Sequence, residues 1–137
     1  MSDRNAKVIE EFRSNAGKVG GFFENIPLLL LHHTGAKSGI TRVAPLAYQP
    51  LDDGNVAIFA SKGGAPSHPH WYLNIEANPQ VEVEVGTEKF AAHARTVMGD
   101  ERDAIWSRQK EALSFFADYE AKADREIPVV VLERIQS

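Results

Sequence analysis

A short glycine-bracketed loop is the first place where this sequence could do chemistry. Residues 35–39 enclose Lys37 and Ser38, and Arg42 follows shortly after. No acidic residue occurs between positions 25 and 52, although the whole chain carries a net charge of −4. Glycines let the backbone turn its N–H groups toward an anion, and the two cations and the hydroxyl could bind the same charge. The pattern predicts a site for an anionic ligand; the alternative is an ordinary hairpin with exposed charges.

A second glycine-rich loop with a lysine occurs further along the chain, at Ser61-Lys62-Gly63-Gly64-Ala65-Pro66. It follows an apolar stretch and precedes a predicted helix, with Ser67 as the expected N-cap and Pro69 in the first turn. The pattern therefore predicts Ser61, Lys62 and the positive end of a helix near one point. Two such loops on neighbouring strands favour anion binding more than either loop alone.

Other chemistries fit the sequence poorly. The first loop contains Gly-x-Lys-Ser, but a β-branched, proline-stopped segment, 40–45, stands where the helix of a P-loop should begin. The absence of cysteine excludes disulfides and thiolate sites. The pairs His32-His33 and His68-Pro69-His70 suggest a metal, but adjacent strand residues face opposite sides and no carboxylate pattern completes a ligand set. No nucleophile-elbow motif supports a serine hydrolase.

Composition narrows the class of protein. A chain of 137 residues with 43% hydrophobic and 25% charged residues is typical of one soluble globular domain, 1–137. The acidic balance argues against a nucleic-acid partner. The longest apolar run, 26–31, is too short for a membrane helix, and the polar N-terminus lacks a signal-peptide core. We therefore expect a cytoplasmic protein, with association to a membrane surface left open.

The elements that must position the two loops follow from periodicity and turn residues. Helices are predicted from Asp3 to Ala16, ended by Gly17, then from about 67 to 77, 101 to 113 with Asp100 as cap, and 115 to 122. A flexible join at Gly20-Gly21 completes the N-terminal segment 1–20. Strands are predicted over 27–34, 42–49, 56–61, 81–85, 89–97 and 127–135, with Pro45 at an edge or bulge. The short turns predict an α+β, mainly β protein: a small barrel of about six mostly antiparallel strands with flanking helices.

Three motifs carry a resemblance to a known family. They are Thr34-Gly35-x-Lys37-Ser38-Gly39-x-x-Arg42-x-x-Pro45-Leu46, then Ala60-Ser61-Lys62-Gly63-Gly64-Ala65-Pro66-x-His68-Pro69-x-Trp71-Tyr72-Leu73-Asn74, and the ending Asp118-Tyr119…Asp124-Arg125-x-Ile127-Pro128-Val129. From about Ile26 onward the chain resembles the deazaflavin-dependent nitroreductases, split β-barrel proteins of the flavin-reductase and pyridoxamine-oxidase-like superfamily.

The resemblance implies coenzyme F420, a deazaflavin with a phosphodiester and a polyglutamate tail. By analogy, Lys37, Ser38 and Arg42 would hold the phosphate, and Arg13 or Lys18 could meet the acidic tail. The rest of the cofactor would lie along Ala36, Val43, Ala44, Pro45, Leu46, Ala47, Phe59, Ala60, Ser61, Lys62, His70, Trp71, Tyr72, Leu73 and Asn74. The substrate would meet Ala47, Tyr48, Phe116 and Tyr119.

The implied reaction is hydride transfer from reduced deazaflavin to an electron-poor small molecule: a quinone, a nitroaromatic or an enone. Family members that reduce nitroimidazoles carry tyrosines where this chain has Ala47, Leu113 and Phe116, so we do not expect nitroimidazole activation. Two alternatives stay open: a protein that binds or stores F420 without turnover, and a split barrel that uses FMN. The sequence leaves a monomer and a homodimer equally open.

Overall fold

The computed structural model describes residues 3–20, 26–64, 67–123 and 125–135. Gly21 of the predicted join, Ala65 and Pro66 of the second loop, and Asp124 of the third motif lie outside the described residues. The strands are β1 (Leu28–Thr34), β2 (Thr41–Pro50), β3 (Val56–Phe59), β4 (Gln80–Val85), β5 (Glu88–Val97) and β6 (Val129–Arg134). The helices are α1 (Asp3–Ser14), α2 (His70–Ala77), α3 (Gly99–Ala112) and α4 (Phe115–Ala123), with a 3-10 turn over Lys62–Gly64.

The six strands form a closed barrel in the order β1-β2-β3-β6-β5-β4, and every described pair is antiparallel. Closure follows from β1, which pairs with β2 on one side and with β4 on the other. A closed barrel leaves few exposed strand edges. Short turns join β1 to β2, β2 to β3 and β4 to β5, whereas α2 lies between β3 and β4, and α3 and α4 lie between β5 and β6. The predicted α+β barrel of six strands with flanking helices is confirmed.

The β1 strand shows why the run of four leucines is needed. Leu29 and Leu31 belong to the barrel core, whereas Leu28 and Leu30 pack under α1 against Phe12, which is 1% exposed. Adjacent side chains of a strand point to opposite faces, so a strand buried on both faces has apolar residues throughout. The predicted two-sided burial of this strand is confirmed.

The helices cover the barrel at three places. Besides α1 on β1 and β2, α2 fills one end of the barrel with Trp71, Tyr72 and Ile75. Helices α3 and α4 pack on the outside of β3 and β6 in a separate apolar cluster that includes Phe59 and Phe116.

The barrel is split between β2 and β3. Only Tyr48–Pro50 of β2 pair with β3, whereas residues 41–47 pair with β1 alone among the described strands. Pro45 lies in this half-paired part, where a missing N–H is tolerated, which confirms its predicted edge position. The opening between the strands is where a ligand can reach the barrel wall.

Several predicted element ends are wrong. The N-cap of α2 is Pro69 in an extended conformation with no side-chain hydrogen bond, because Ser67 is held further back by contacts to Lys62 and Arg125. The N-cap of α3 is Met98, so Asp100 lies inside the first turn. α1 ends at Ser14, before Ala16.

The end of α1 is set by a left-handed turn. Ala16, predicted as the last residue of the helix, is exposed at φ 54°, and the Gly17 N–H donates to the Phe12 carbonyl. Lys18 therefore follows α1 instead of lying on it. β3 stops at Phe59, short of the predicted Ser61, because Ala60 bonds Pro128 and the chain then turns into the 3-10 segment.

Candidate functional site

A cavity of about 260 Å³ lies at the split between β2 and β3. Its walls are mainly apolar and aromatic, with a serine, a lysine and a tyrosine among them, as is usual for a site that accepts a planar organic ligand. It is lined by Ile26, Leu28, Pro45, Leu46, Ala47, Phe59, Ser61, Lys62, Trp71, Phe115, Phe116 and Tyr119.

Four elements position these side chains. Residues 45–47 come from the half-paired part of β2, and Phe59 ends β3 across the gap. Trp71 comes from the first turn of α2, where it also contacts the barrel core. Helix α4 supplies Phe116 and Tyr119. The cavity is therefore bounded by β2, β3, α2 and α4.

The α4 wall is a cluster of rings. The Phe116 ring lies 5.6 Å from that of Phe59 and stacks on Phe115 at 4.9 Å, and Tyr119 meets Phe116 edge-on at 5.4 Å. Offset and edge-to-face contacts of this kind add to the stabilisation from burial alone. The rings present a fixed apolar face to whatever occupies the cavity.

The second loop is held in a strained conformation at the cavity's rim. Lys62 has φ +48°, a left-handed value that is costly for a residue with a side chain. Gly64 at φ +86° lies against α4, and a β-carbon there would come within 3.1 Å of the Tyr119 carbonyl oxygen. Because Lys62 lines the cavity, the contacts that hold this costly conformation also fix one edge of the cavity.

Arg125 supplies the strongest of those contacts. One terminal nitrogen of its guanidinium faces the carbonyl oxygens of Ala60, Ser61 and Ser67 at 3.0–3.3 Å, and the other donates to His68 Nδ1 at 3.0 Å. These groups lie on both sides of the loop, so one side chain connects its two ends. Partial burial lowers the pKa of Arg125.

The first loop is anchored on α2 instead. Within the loop, Gly35 N–H donates to the Ile40 carbonyl, closing the predicted turn. The Ala36 N–H donates to Asn74 Oδ1 at 3.1 Å, and Asn78 Nδ2 donates to the Thr34 carbonyl at 3.4 Å. Lys37, Ser38 and Arg42 are exposed on the outer side of the loop, where an anion has access to them.

The two cationic loops lie at opposite ends of α2. The first loop contacts the middle and C-terminal end of α2, and the second leads into its N-terminus. Eight helical residues span roughly 12 Å. Along β2, the five steps from Arg42 to Ala47 span roughly 16 Å. The arrangement suits an elongated ligand with an anionic group at one end and an apolar ring system at the other.

The charged groups under α1 are already paired. Arg13 forms a double hydrogen bond with Glu84, whose other contact is His32 Nε2 at 2.6 Å. The hydrogen bond from Arg13, opposed by partial burial, is the main cause that lowers the pKa of Glu84 from its usual 4.5 to about 2. Arg13 thus already has a carboxylate partner. To contact an acidic cofactor tail as predicted, Arg13 would have to bind Glu84 and the tail at the same time.

The residues described by the structure hold no cluster of histidine, aspartate and glutamate suited to a metal ion. His32 and His33 have different partners, Glu84 and Asn74 respectively. Nor does any helix in the described part of the chain combine the length and apolar content that crossing a bilayer takes.

Comparison with known proteins identifies the family. The family model described as F420H(2)-dependent quinone reductase matches residues 5–134. The chain belongs to this family. A Mycobacterium tuberculosis protein named F420H(2)-dependent quinone reductase is 39% identical over 127 residues, or 90% of this chain and 85% of that protein. The kinship with deazaflavin-dependent reductases that the motifs indicate is confirmed.

Two solved structures closely resemble the fold of this member of the F420H(2)-dependent quinone reductase family. One, described as the F420-H2 dependent reductase FDR-A, has a TM-score of 0.71 at 44% identity and covers 78% of this chain and 94% of that chain. The other, described as a domain-swapped dimer, has a TM-score of 0.73 at 39% identity and covers 93% of both chains.

Against this family background, the cavity gathers nine of the residues that the motifs predict for cofactor or substrate: Pro45, Leu46, Ala47, Phe59, Ser61, Lys62, Trp71, Phe116 and Tyr119. Other predicted residues face elsewhere. Tyr48, Ala60 and Tyr72 contribute to the barrel core, and burial raises the pKa of Tyr48. Val43 packs under α1, whereas His70 and Leu73 are exposed on α2.

The sequence reasoning missed Ile26, Leu28 and Phe115 as cavity residues. The register offers a signal for one of them, because Leu28 pairs with Ala47 across β1 and β2. Phe115 is the sequence neighbour of the predicted residue Phe116, but position in a helix alone does not tell which of the two rings faces the gap.

Proposed function

We propose that this chain uses coenzyme F420 in its reduced form to reduce a quinone, as its family indicates. The observation that carries the proposal is the half-paired β2 strand, which connects an exposed cationic loop with an apolar cavity of about 260 Å³. A deazaflavin with a phosphodiester on a side chain has the same sequence of parts: a flat ring system, a polar chain and an anion.

The residues present fit that cofactor. We assign the phosphodiester to Lys37, Ser38 and Arg42. All three are exposed, and the two cations have no acidic neighbour along the loop. The ring system is assigned to the cavity between residues 45–47 and Trp71. Each charge-assisted contact would contribute roughly 1.5–3 kcal/mol where water is excluded, and less at this exposed loop.

When bound, the reduced deazaflavin supplies a hydride for the acceptor. The protein's own contribution is orientation, exclusion of water and electrostatics. The aromatic wall of α4 keeps the cavity apolar, and the Lys62 ammonium at its rim would favour the negative charge that a quinone oxygen gains on reduction.

The cavity wall favours a quinone over a nitroimidazole as acceptor. The positions where nitroimidazole-reducing relatives carry tyrosines are Ala47 and Phe116 at the cavity, with Leu113 beside it in the α4 cluster. A site without those hydroxyls lacks the hydrogen bonds that would orient a polar nitro compound. An apolar ring face instead suits a flat, weakly polar quinone.

Equilibrium titration tests the assignment. Wild-type protein should bind F420 and not FMN, and Lys37→Ala or Arg42→Ala should weaken F420 binding by up to roughly ten-fold, as expected for one lost charge-assisted contact at an exposed loop. Lys89→Ala is the matched control. Lys89 is an exposed lysine on β5, far from the loop in the sequence, and its ammonium lies 3.9 Å from the carboxylate of Glu82. Unchanged affinity in both loop variants would overturn the phosphate assignment.

A screen with reduced F420 then tests the reaction. Quinone-dependent oxidation above the uncatalysed rate is the expected result. Tight binding with no acceptor-dependent oxidation across quinones, nitroaromatics and enones would instead indicate a storage protein. Binding of FMN but not F420 would select the flavin alternative. Light scattering on the same samples distinguishes a monomer from the homodimer that one relative's structure suggests.

A further inference from the structure

The Asn74 carboxamide links α2 to the anion loop itself, while Asn78 holds the carbonyl of Thr34 just before the loop. Asn74 Oδ1 accepts from the Ala36 N–H at 3.1 Å, next to Lys37, and Asn74 Nδ2 lies 2.9 Å from His33 Nδ1. The chain Ala36–Asn74–His33 therefore ties the loop to α2 and α2 to β1. Here "anion loop" means residues 35–42, which contain Lys37, Ser38 and Arg42.

The partners of Asn74 determine the protonation state of His33. A backbone N–H can only donate, so the Asn74 atom bonded to Ala36 must be the oxygen. The other Asn74 atom is then the NH₂ group, which can only donate. His33 Nδ1 must therefore accept, which requires a neutral imidazole with its proton on Nε2. A protonated His33 would set two donors against each other.

The surroundings of His33 also favour the neutral form. His33 is 6% exposed. Burial is the main cause that lowers the pKa of His33 below the usual 6.5, and the charges of Arg42 and then His32 lower it further. Arg42 is its register partner on β2, His32 precedes it on β1, and α2 faces it with the neutral Asn74. No described carboxylate is paired with His33 to offset a positive charge.

We propose that His33 and Asn74 are positioning residues that hold the anion loop in its binding conformation only while His33 is neutral, so that F420 binding weakens on acidification. The identity of the ligand rests on the proposed function; the loop link itself does not. Neither residue needs to touch the cofactor for this role.

The sign of the effect distinguishes this proposal from simple electrostatics. A proton on His33 adds positive charge near the anion loop, which by Coulomb attraction alone would strengthen binding of an anionic ligand at low pH. Release of the loop predicts the opposite. The direction of the pH dependence therefore separates the two explanations.

Three proteins make the affinity test. The first quantity is the F420 dissociation constant of wild type divided by that of His33→Asn. This ratio should rise roughly five-fold from about pH 8 to about pH 5.5, because wild type loses one hydrogen bond on acidification and the variant does not. Asn at position 33 keeps an acceptor where Nδ1 lies but does not titrate. Any titration of the ligand is common to both proteins and cancels in the ratio.

Asn74→Asp should remove the weakening on acidification. Its second oxygen can accept from His33 Nδ1–H, which both the protonated ring and the Nδ1–H tautomer of the neutral ring supply. The F420 dissociation constant of this variant, relative to that of His33→Asn, should therefore stay constant or fall on acidification. A wild-type ratio that stays constant or falls on acidification would overturn the proposal. An Asn74→Asp slope with the same sign as wild type would also overturn it.

A measurement on the ligand-free protein separates this proposal from the proposed function. Nitrogen-15 NMR should show the Nε2–H tautomer of His33, and the exchange protection of the Ala36 amide should fall at the pH where His33 takes up its proton. Protection of Ala36 that does not follow His33 would overturn the link, even if F420 binds. If F420 does not bind at any pH, the proposed function is refuted. The NMR measurement on the ligand-free protein still decides whether His33 controls the contact between Asn74 and Ala36.

Discussion

Replacing Arg125 by alanine should open the second loop without removing any cavity side chain. The guanidinium bonds the carbonyls of Ala60 and Ser61 before the loop and Ser67 after it, and also His68 Nδ1. Hydrogen bonds to a charged donor contribute about 1.5–3 kcal/mol each, but three of these acceptors share one nitrogen and the site is partly exposed. We therefore expect the free energy of unfolding to fall by about 2–3 kcal/mol.

The loop should lose its binding conformation as well, because Lys62 keeps its left-handed φ only while the loop ends are fixed. The F420 dissociation constant should then rise about ten-fold. Denaturant unfolding and F420 titration measure the two effects. Arg134→Ala is the control, since it also removes an arginine with two hydrogen bonds, here an exposed pair with Glu88 between β6 and β5, and Arg134 does not line the cavity.

Added guanidinium offers a second readout. Millimolar guanidinium should restore part of the F420 affinity of Arg125→Ala, because it can occupy the vacated position between the carbonyls. It should not affect Arg134→Ala. The reasoning would be refuted if Arg125→Ala bound F420 as tightly as wild type, since the loop would then hold its shape without the cross-link.

The remaining predictions concern packing and pH. Gly64→Ala should destabilise the protein by about 1–2 kcal/mol, because φ is +86° and the new β-carbon would come within 3.1 Å of the Tyr119 carbonyl oxygen. An unchanged free energy of unfolding in denaturant would contradict this. Because the pKa of Glu84 is about 2 in the folded protein and 4.5 ordinarily, its stabilisation is complete above pH 4.5 and is lost toward pH 2. The shift corresponds to an upper limit of about 3 kcal/mol, reduced to about 1–2 by the exposure of Arg13. Glu84→Gln should therefore lose less stability than wild type over this range in acid titrations.

The strands were predictable because their chemistry is local. Four consecutive leucines next to a predicted turn favour a short strand buried on both faces. Val81, Val83 and Val85 alternate with glutamates at the period of a half-exposed strand. Helix starts were less predictable. Ser67 has the chemistry of an N-cap, but Arg125, distant in sequence, holds its carbonyl, so a tertiary contact decides where α2 begins.

The same distinction separates the predicted from the unpredicted parts of the site. Pro45 and Lys62 occur in motifs and line the cavity. The motif residue Asn74 was expected beside the cofactor, but its carboxamide connects Ala36 with His33. Motif spacing shows that residues belong to one site; it does not show which of them meet a ligand and which support the others, because that depends on side-chain direction.

The central claim is that one ligand spans from the anion loop to the cavity, and NMR titration with F420 tests it most directly. The backbone amides of Lys37 and Ser38 and the indole N–H of Trp71 should all shift, and all three should follow one binding curve with a single dissociation constant. Shifts confined to the loop, or to Trp71, would contradict the claim, as would two regions that saturate at different F420 concentrations.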